Sequence, residues 1–188
     1  MKPFIATILL ALGGSVRGLS IPRDEPFPFG EIDYSQTCPA KLAGDFEFPH
    51  LIVPVNSQWP SINYGNSYNG SISITTSSIY NFDIPLASRG LTCTLWFLFP
   101  SESELAPSNY TFKGDGRVKF SRLSGFATVD TSYQNQPSVE KELGMAELKA
   151  GAQYNISNFE CPAAKTIAFK IENIGSTQLE YFQRRVPA

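Results

Sequence analysis

The chain has 188 residues, with 15 basic and 17 acidic side chains, 42% hydrophobic residues and three cysteines. Setting aside residues 1–18, which contain Lys2, Arg17 and no acid, leaves 13 basic and 17 acidic side chains, a net charge near −4. That balance, without a basic stripe, argues against a nucleic-acid partner, and the remaining length suits one domain that buries roughly 70% of its unfolded surface.

Residues 1–18 read as a secretory signal peptide. Lys2 gives a positive start, residues 4–12 form an apolar run of the right length, and Val16-Arg17-Gly18 suits cleavage before Leu19. The run is shorter than the roughly 20 residues of a membrane helix, and no second stretch approaches that length. The polar, basic end from Leu179 carries neither a spanning helix nor a lipid-anchor tail. Residues 19–37 hold Pro22, Pro26, Pro28, Asp24, Glu25, Glu31 and Asp33, and read as an extended or disordered lead-in.

From Cys38 the pattern changes to short apolar runs separated by Gly, Pro, Asn and Ser, the signature of an all-β domain over residues 38–184 with a short tail at 185–188. Nine strands are expected. The first, at 46–55, contains Pro49 and Pro54, which cannot donate to a ladder, so it belongs at an edge or bulge. Residues 71–83 follow, then 93–99, which is apolar on both faces as a covered central strand would be. Ser101-Glu102-Ser103-Glu104 has the form of a capping box and predicts one helical turn. Residues 109–113 and 116–123 flank Gly114-Asp115-Gly116 and read as a hairpin. Residues 143–148, 154–159, 166–172 and 178–182 complete the set. Strands this short, at this spacing, point to a single two-sheet antiparallel β-sandwich with one or two short helical turns.

Three glycan acceptor triplets occur, at Asn69-Gly70-Ser71, Asn109-Tyr110-Thr111 and Asn155-Ile156-Ser157. In each the asparagine is out of phase with the apolar residues of its strand, which directs Asn69, Asn109 and Asn155 toward solvent. Three cysteines allow one internal bridge. Cys93 with Cys161 is the first choice, since each bounds an apolar strand; Cys38 with Cys161 is the rival, both lying in Cys-Pro-Ala.

Catalytic chemistry is thinly provided. His50 is the only histidine and sits between Pro49 and Leu51 with no nucleophile elbow, which removes Ser-His-Asp and Cys-His mechanisms and copper sites that need two histidines. Dispersed cysteines give no zinc spacing, and no Gly-rich phosphate loop occurs. No metal and no cofactor are expected. The carboxylate pairs Asp45/Glu47, Glu102/Glu104 and Glu140/Glu142 are the remaining route to a hydrolase, and a solvated surface explains each more simply. The loop from Asn56 to Gly70 carries Trp59, Tyr64 and Tyr68 among polar residues. Such rings can stack on sugars or grip a partner. Their size favours the competing expectation, that they fold back over the core edge.

The order of segments resembles a known family. Cys38-Pro39-Ala40, the stretch from Phe46 to Val55, Tyr64-Gly65, Tyr68-Asn69-Gly70 and Phe82-Asp83-Ile84-Pro85 are followed by the block from Thr92 to Pro100, then Tyr110-Thr111-Phe112. Phe159-Glu160-Cys161-Pro162-Ala163 and Leu179-Glu180-Tyr181-Phe182-Gln183 complete the series. This series resembles the But-two C-terminal domain family of fungal proteins over residues 37–184. The resemblance implies a fungal source and a compact domain often attached to export signals, and it supplies no catalytic residues. The family name implies a partner, a ubiquitin-like activating enzyme, that an exported chain would not meet.

The expected protein is therefore a secreted or wall-associated glycoprotein without enzymatic activity, in a structural or recognition role toward a wall polysaccharide or host surface component. The alternatives are an intracellular adaptor for the ubiquitin-like activating enzyme and a carboxylate-based hydrolase.

Overall fold

Alternating apolar and polar residues become strands along most of the chain. The computed structural model describes residues 7–12, 32, 34–35, 45–105 and 109–183. Within them lie β1 (Thr7–Leu12), β2 (Tyr34–Ser35), β3 (Asp45–Glu47), β4 (Leu51–Asn56), β5 (Asn69–Ile72), β6 (Thr76–Asp83), β7 (Thr92–Phe99), β8 (Tyr110–Lys113), β9 (Arg117–Leu123), β10 (Val139–Glu147), β11 (Ala152–Glu160), β12 (Thr166–Asn173) and β13 (Gln178–Phe182). Single 3-10 turns at Leu86–Ser88 and Glu102–Glu104 complete the elements. In the second, Ser101 and Glu104 form the capping box that the sequence suggests.

All pairings are antiparallel, in sheets ordered β2-β11-β7-β1-β3, β10-β9-β12-β6-β4 and β5-β13-β8. The fold is an all-β sandwich of two five-stranded sheets, with the three-stranded sheet adding Ile72, Leu179 and Tyr181 to the same core. Thirteen described segments replace the nine expected. The run at 46–55 is broken at Pro49-His50 into β3 and β4, and residues 71–83 are interrupted by a turn between β5 and β6. Prolines end ladders because they lack a donor, and Pro54 is tolerated because β4 is an edge strand.

Two further strands lie where none was expected. Within the lead-in at 19–37 the structure describes Ile32, Tyr34 and Ser35: Ile32 is buried and its N–H donates to Met145 O at 3.1 Å, and β2 pairs with β11. Two or three residues are too few to show a period, so this order is invisible in the pattern. Within the segment read as a signal peptide, β1 runs between β7 (Thr7 opposite Leu98 to Leu12 opposite Cys93) and β3 (Leu10 opposite Glu47 to Leu12 opposite Asp45).

The expected hairpin at Gly114-Asp115-Gly116 is corrected. β8 belongs to the three-stranded sheet and β9 pairs with β10 and β12, so the turn is a corner where the chain changes sheets. Both glycines have positive φ, 89° and 75°, and a Cβ on Gly114 would lie 2.1 Å from Ser176 O. Asp115 ties the corner down. Its Oδ1 accepts from Arg117 N at 3.1 Å, Ser176 N at 3.1 Å and Thr177 Oγ1 at 3.0 Å. Slight desolvation pushes this exposed carboxyl up, but the Arg117 and Ser176 amides, the Thr177 hydroxyl and the Arg117 charge together hold it below the ordinary 3.8.

The main core lies between the five-stranded sheets, with Cys93, Leu95, Phe97 and Phe99 of β7 facing Tyr80, Phe82, Phe120, Phe169 and Ile171 of the opposite sheet. The Cys93–Cys161 bridge closes beside it with Cα atoms 5.0 Å apart, and Cys38 lies outside the described residues. The buried hydroxyls of Tyr80 and Tyr181 hydrogen-bond at 2.7 Å above Gly70, where a Cβ would lie 2.4 Å from both side chains. Burial pushes both phenols well above their ordinary value.

Two outcomes follow for stability. Because the bridge spans 68 positions, Cys161→Ser should lower unfolding free energy by about 2–4 kcal/mol in urea melts of oxidised protein. Because the Asp115 carboxyl is depressed in the folded state, its contribution is complete above the ordinary value of 3.8 and is lost as pH falls through the lower folded value. Acid melts of Asp115→Asn should lack that component while showing lower stability at neutral pH.

Candidate functional site

The sheet containing β4, β6, β9 and β12 is apolar on its outward face as well. Val53 and Val55 of β4, Ile79 of β6, Leu123 of β9 and Ala168 of β12 form a second buried cluster with Ala127. Ala127 belongs to the loop at 124–138, which lies over this face. Buried Asn81 fastens it: its Nδ2 donates to Ala127 O at 2.8 Å and its Oδ1 accepts from Ala127 N at 3.1 Å. Buried backbone groups of a loop need such partners, and an asparagine supplies a donor and an acceptor together. Lys170, almost wholly buried on the same face, has its Nζ 5.9 Å from the centre of the Tyr133 ring and 3.3 Å from a Glu172 carboxylate oxygen.

A second loop, from Ser57 to Tyr68, leans on the first. Asn63 bridges Ser132, and Gln134 N donates to Pro60 O at 2.9 Å. The loop is also held at its ends. Asn56 Oδ1 accepts from Gln58 N and Trp59 N at 2.8 and 3.2 Å, Ser57 N donates to Thr75 O at 2.8 Å, and Ser67 N donates to Ile52 O at 2.8 Å. This asparagine-capped turn is a local motif, the side chain imitating a backbone acceptor.

Between these anchors the large side chains face solvent. Trp59 is 56% exposed, Tyr64 46% and Tyr68 72%, and Ile62 is exposed with them. The expectation that the rings fold back over the core edge is therefore overturned. Val53 and Val55 of the neighbouring β4 are instead buried with Ala127 of the 124–138 loop. Tyr133, which the sequence did not single out, is brought beside Pro60–Asn63 by the two contacts above. Nothing local marks it, since its place depends on a loop 70 residues away in sequence. The result is a set of exposed rings on a loop whose backbone is held by hydrogen bonds, and such rings can offer flat apolar faces without first ordering a loop.

The other candidate residues are dispersed. His50 Nδ1 lies 3.0 Å from Asp83 Oδ2, and Thr166 Oγ1 donates to the other oxygen of the same carboxylate. Glu142 pairs with Lys119 and Glu140 with Arg122, each at 3.1 Å. Both carboxylates of the suggested Glu140/Glu142 pair are thus taken by cations. Asp45 is exposed in β3 with Glu47 half-buried beside it, and Glu102 and Glu104 sit exposed in the capping turn. Among the described residues no group of three or more His, Cys, Asp or Glu side chains is placed to hold a metal ion, and no helix is long and apolar enough to cross a membrane. Asn109 is exposed ahead of β8. Asn69 and Asn155 are half-buried in β5 and β11, on the faces opposite their buried neighbours.

The sequence matches a described family. Residues 47–187 correspond to the ubiquitin 3 binding protein But2 C-terminal domain. The chain belongs to the But2 C-terminal domain family. It is also similar to a but2-like protein of Schizosaccharomyces pombe, 29% identical over 150 residues that take in 74% of this chain and 37% of the relative. The chain thus spans little more than a third of that relative's length. The matched But2 region begins at Glu47, so it takes in β4 to β13, the disulfide, both loops and the aromatic surface.

If Asn81 holds the platform, Asn81→Ala leaves the Ala127 N–H and C=O buried without partners. The substitution should cost about 2 kcal/mol or more. Hydrogen exchange should show amides of the 124–138 loop losing protection before those of β7.

Proposed function

We propose that this But2-domain chain is an exported, wall-associated recognition module that binds an extended polysaccharide through Trp59, Tyr64 and Tyr68 and performs no catalysis. The observation that carries the reading is the exposure of these rings on a loop whose backbone is fixed by Asn56, Thr75 and Ile52. Sugar rings present axial C–H groups to flat aromatic faces, and a prearranged platform does not have to be ordered on binding. A host surface component bearing similar sugars is recognised by the same chemistry. Export is supported by the signal-like residues 1–18, the acceptor triplets at Asn69, Asn109 and Asn155, and the Cys93–Cys161 bridge, a bond that persists in oxidising compartments.

A second reading has one specific observation in its favour. β1 lies within residues 1–18 and occupies a full strand position between β7 and β3. A chain that keeps this strand is not exported, and it would be the intracellular form in which an adaptor role toward a ubiquitin-like system, as the family's description suggests, is open.

Expression of the full chain in a filamentous fungus separates the two. Export predicts a product beginning near Leu19 in the medium or wall fraction, losing mass on deglycosylation; an intracellular product beginning at Met1 with unmodified asparagines would overturn it. For recognition, the secreted protein should be retained on insoluble β-glucan or chitin. Combined replacement of Trp59, Tyr64 and Tyr68 by Ala should reduce that retention by about tenfold or more. Equal retention of the two proteins, or none by either, sinks the polysaccharide reading.

A further inference from the structure

The strand pairings place two acceptor asparagines directly across from outward-facing aromatic side chains. On the first five-stranded sheet Asn155 is paired with Trp96. The neighbours of Trp96, Leu95 and Phe97, are fully buried in the core, as is Tyr154, with Ile156 nearly so. The pairing puts Asn155 and half-buried Trp96 together on the other face, just before the register shift at Ile156; directly opposed Cβ atoms in a regular ladder are about 4.5–5.5 Å apart. On the three-stranded sheet Asn69 is paired with Phe182, which is 38% exposed while Tyr181 beside it is in the core. Tyr181 also pairs with Tyr110 on the opposite side, so the row holding Phe182 leads on toward Asn109.

Glu180 adds a polar element to the second site. Its Oε1 accepts from Asn69 Nδ2 at 3.0 Å, and it is paired with Ser71 on one side and Thr111 on the other, the hydroxyl residues of two acceptor triplets.

We infer that Trp96 and Phe182 are platforms for the first sugar of N-linked glycans on Asn155 and Asn69. This rests on the export reading. Transfer from a lipid-linked oligosaccharide diphosphate forms the bond from Nδ2 to the sugar C1, breaks the C1–O bond to the diphosphate, and releases one Nδ2 proton. The remaining N–H of Asn69 still donates to Glu180, which aims the new bond along the sheet. The first N-acetylglucosamine then lies across the aromatic ring one strand away, its C–H face against the π face, covering apolar surface that is otherwise wet. The glycans thus become part of the outer packing of two sheets. Of the sugar-binding residues proposed above, Tyr68 directly precedes Asn69 and its carbonyl accepts from Gln183 N at 2.8 Å, so that surface adjoins the Phe182 platform.

The test uses the secreted chain from a glycosylating yeast and the same chain made in bacteria. Peptide mass mapping gives occupancy at Asn155 and Asn69, and melts are compared before trimming, after trimming to a single N-acetylglucosamine, and after complete removal. Stacking predicts that the trimmed protein keeps its Tm within about 1 °C and that Asn155→Gln or Asn69→Gln lowers it by about 2–4 °C each. It further predicts that Asn155→Gln lowers Tm no further in a Trp96→Ala background, and that the same holds for Asn69→Gln in Phe182→Ala. Exposed Phe182 can be truncated without opening the core, so that arm remains decisive if Trp96→Ala fails to fold. Equal losses with and without the aromatic ring overturn the inference. So does a secreted protein whose Asn155 and Asn69 are bare, a result that leaves export standing, whereas an intracellular chain beginning at Met1 removes the export reading itself.

Discussion

Packing around Phe97 is the contact on which the rest of the fold depends. Its ring centre lies 5.8 Å from that of Phe120 in the facing sheet, 5.8 Å from Tyr181 in the three-stranded sheet and 6.3 Å from Tyr154 on the adjacent strand. One side chain of β7 therefore joins all three sheets, and neighbouring Phe99 extends the cluster to Tyr110 and Phe112. Aromatic rings bury large areas and prefer tilted or edge-on contacts, so a set of them fixes the relative placement of sheets as well as their stability. Cys93 on the same face of β7 carries the disulfide to the end of β11, which binds the start of this strand covalently.

From that core the outer layer follows in order. Sheet residues that do not face Phe97 face outward, and on the β4–β6–β12–β9 side they are apolar enough to need a cover. The 124–138 loop supplies it, and Asn81 holds the loop there through both of its amide atoms. On the neighbouring loop, Trp59, Ile62, Tyr64 and Tyr68 are left in solvent. The exposed rings thus lie beside a face that the 124–138 loop has already covered.

The N-terminal segment has a sequence reading and a structural place that exclude each other. As an apolar run behind Lys2 it reads as a leader, while in the structure it is β1, a strand bonded to β7 and β3. Removing it would leave the β7 edge open and β3 without its only described partner, and an open edge without charge or proline is one that proteins ordinarily protect. The family match from Glu47 onward does not depend on this segment, because β4 to β13 contain the core, the bridge and both loops.

Much of the fold was legible in the residues alone. Short apolar and alternating runs gave the strands from β6 to β13, Ser101 and Glu104 gave the capped turn, and the run at 93–99 gave β7, a strand central in its sheet. These features depend on a residue and its near neighbours. Partner choice does not: Gly114-Asp115-Gly116 looks the same in a hairpin and in a corner between sheets, and only the contacts of Asp115 with Ser176 and Thr177 make it a corner. Exposure of Trp59, Tyr64 and Tyr68 was likewise undecidable from the loop itself, because the loop's path is set by bonds to Thr75, Ile52, Ser132 and Gln134. The sequence determined an all-β chain with a signal-like start, three acceptor triplets and a choice of disulfides. Tertiary structure alone decided which cysteines meet, which asparagines face an aromatic ring, and which rings remain free, since each is set by strands and loops distant in sequence and adjacent in space.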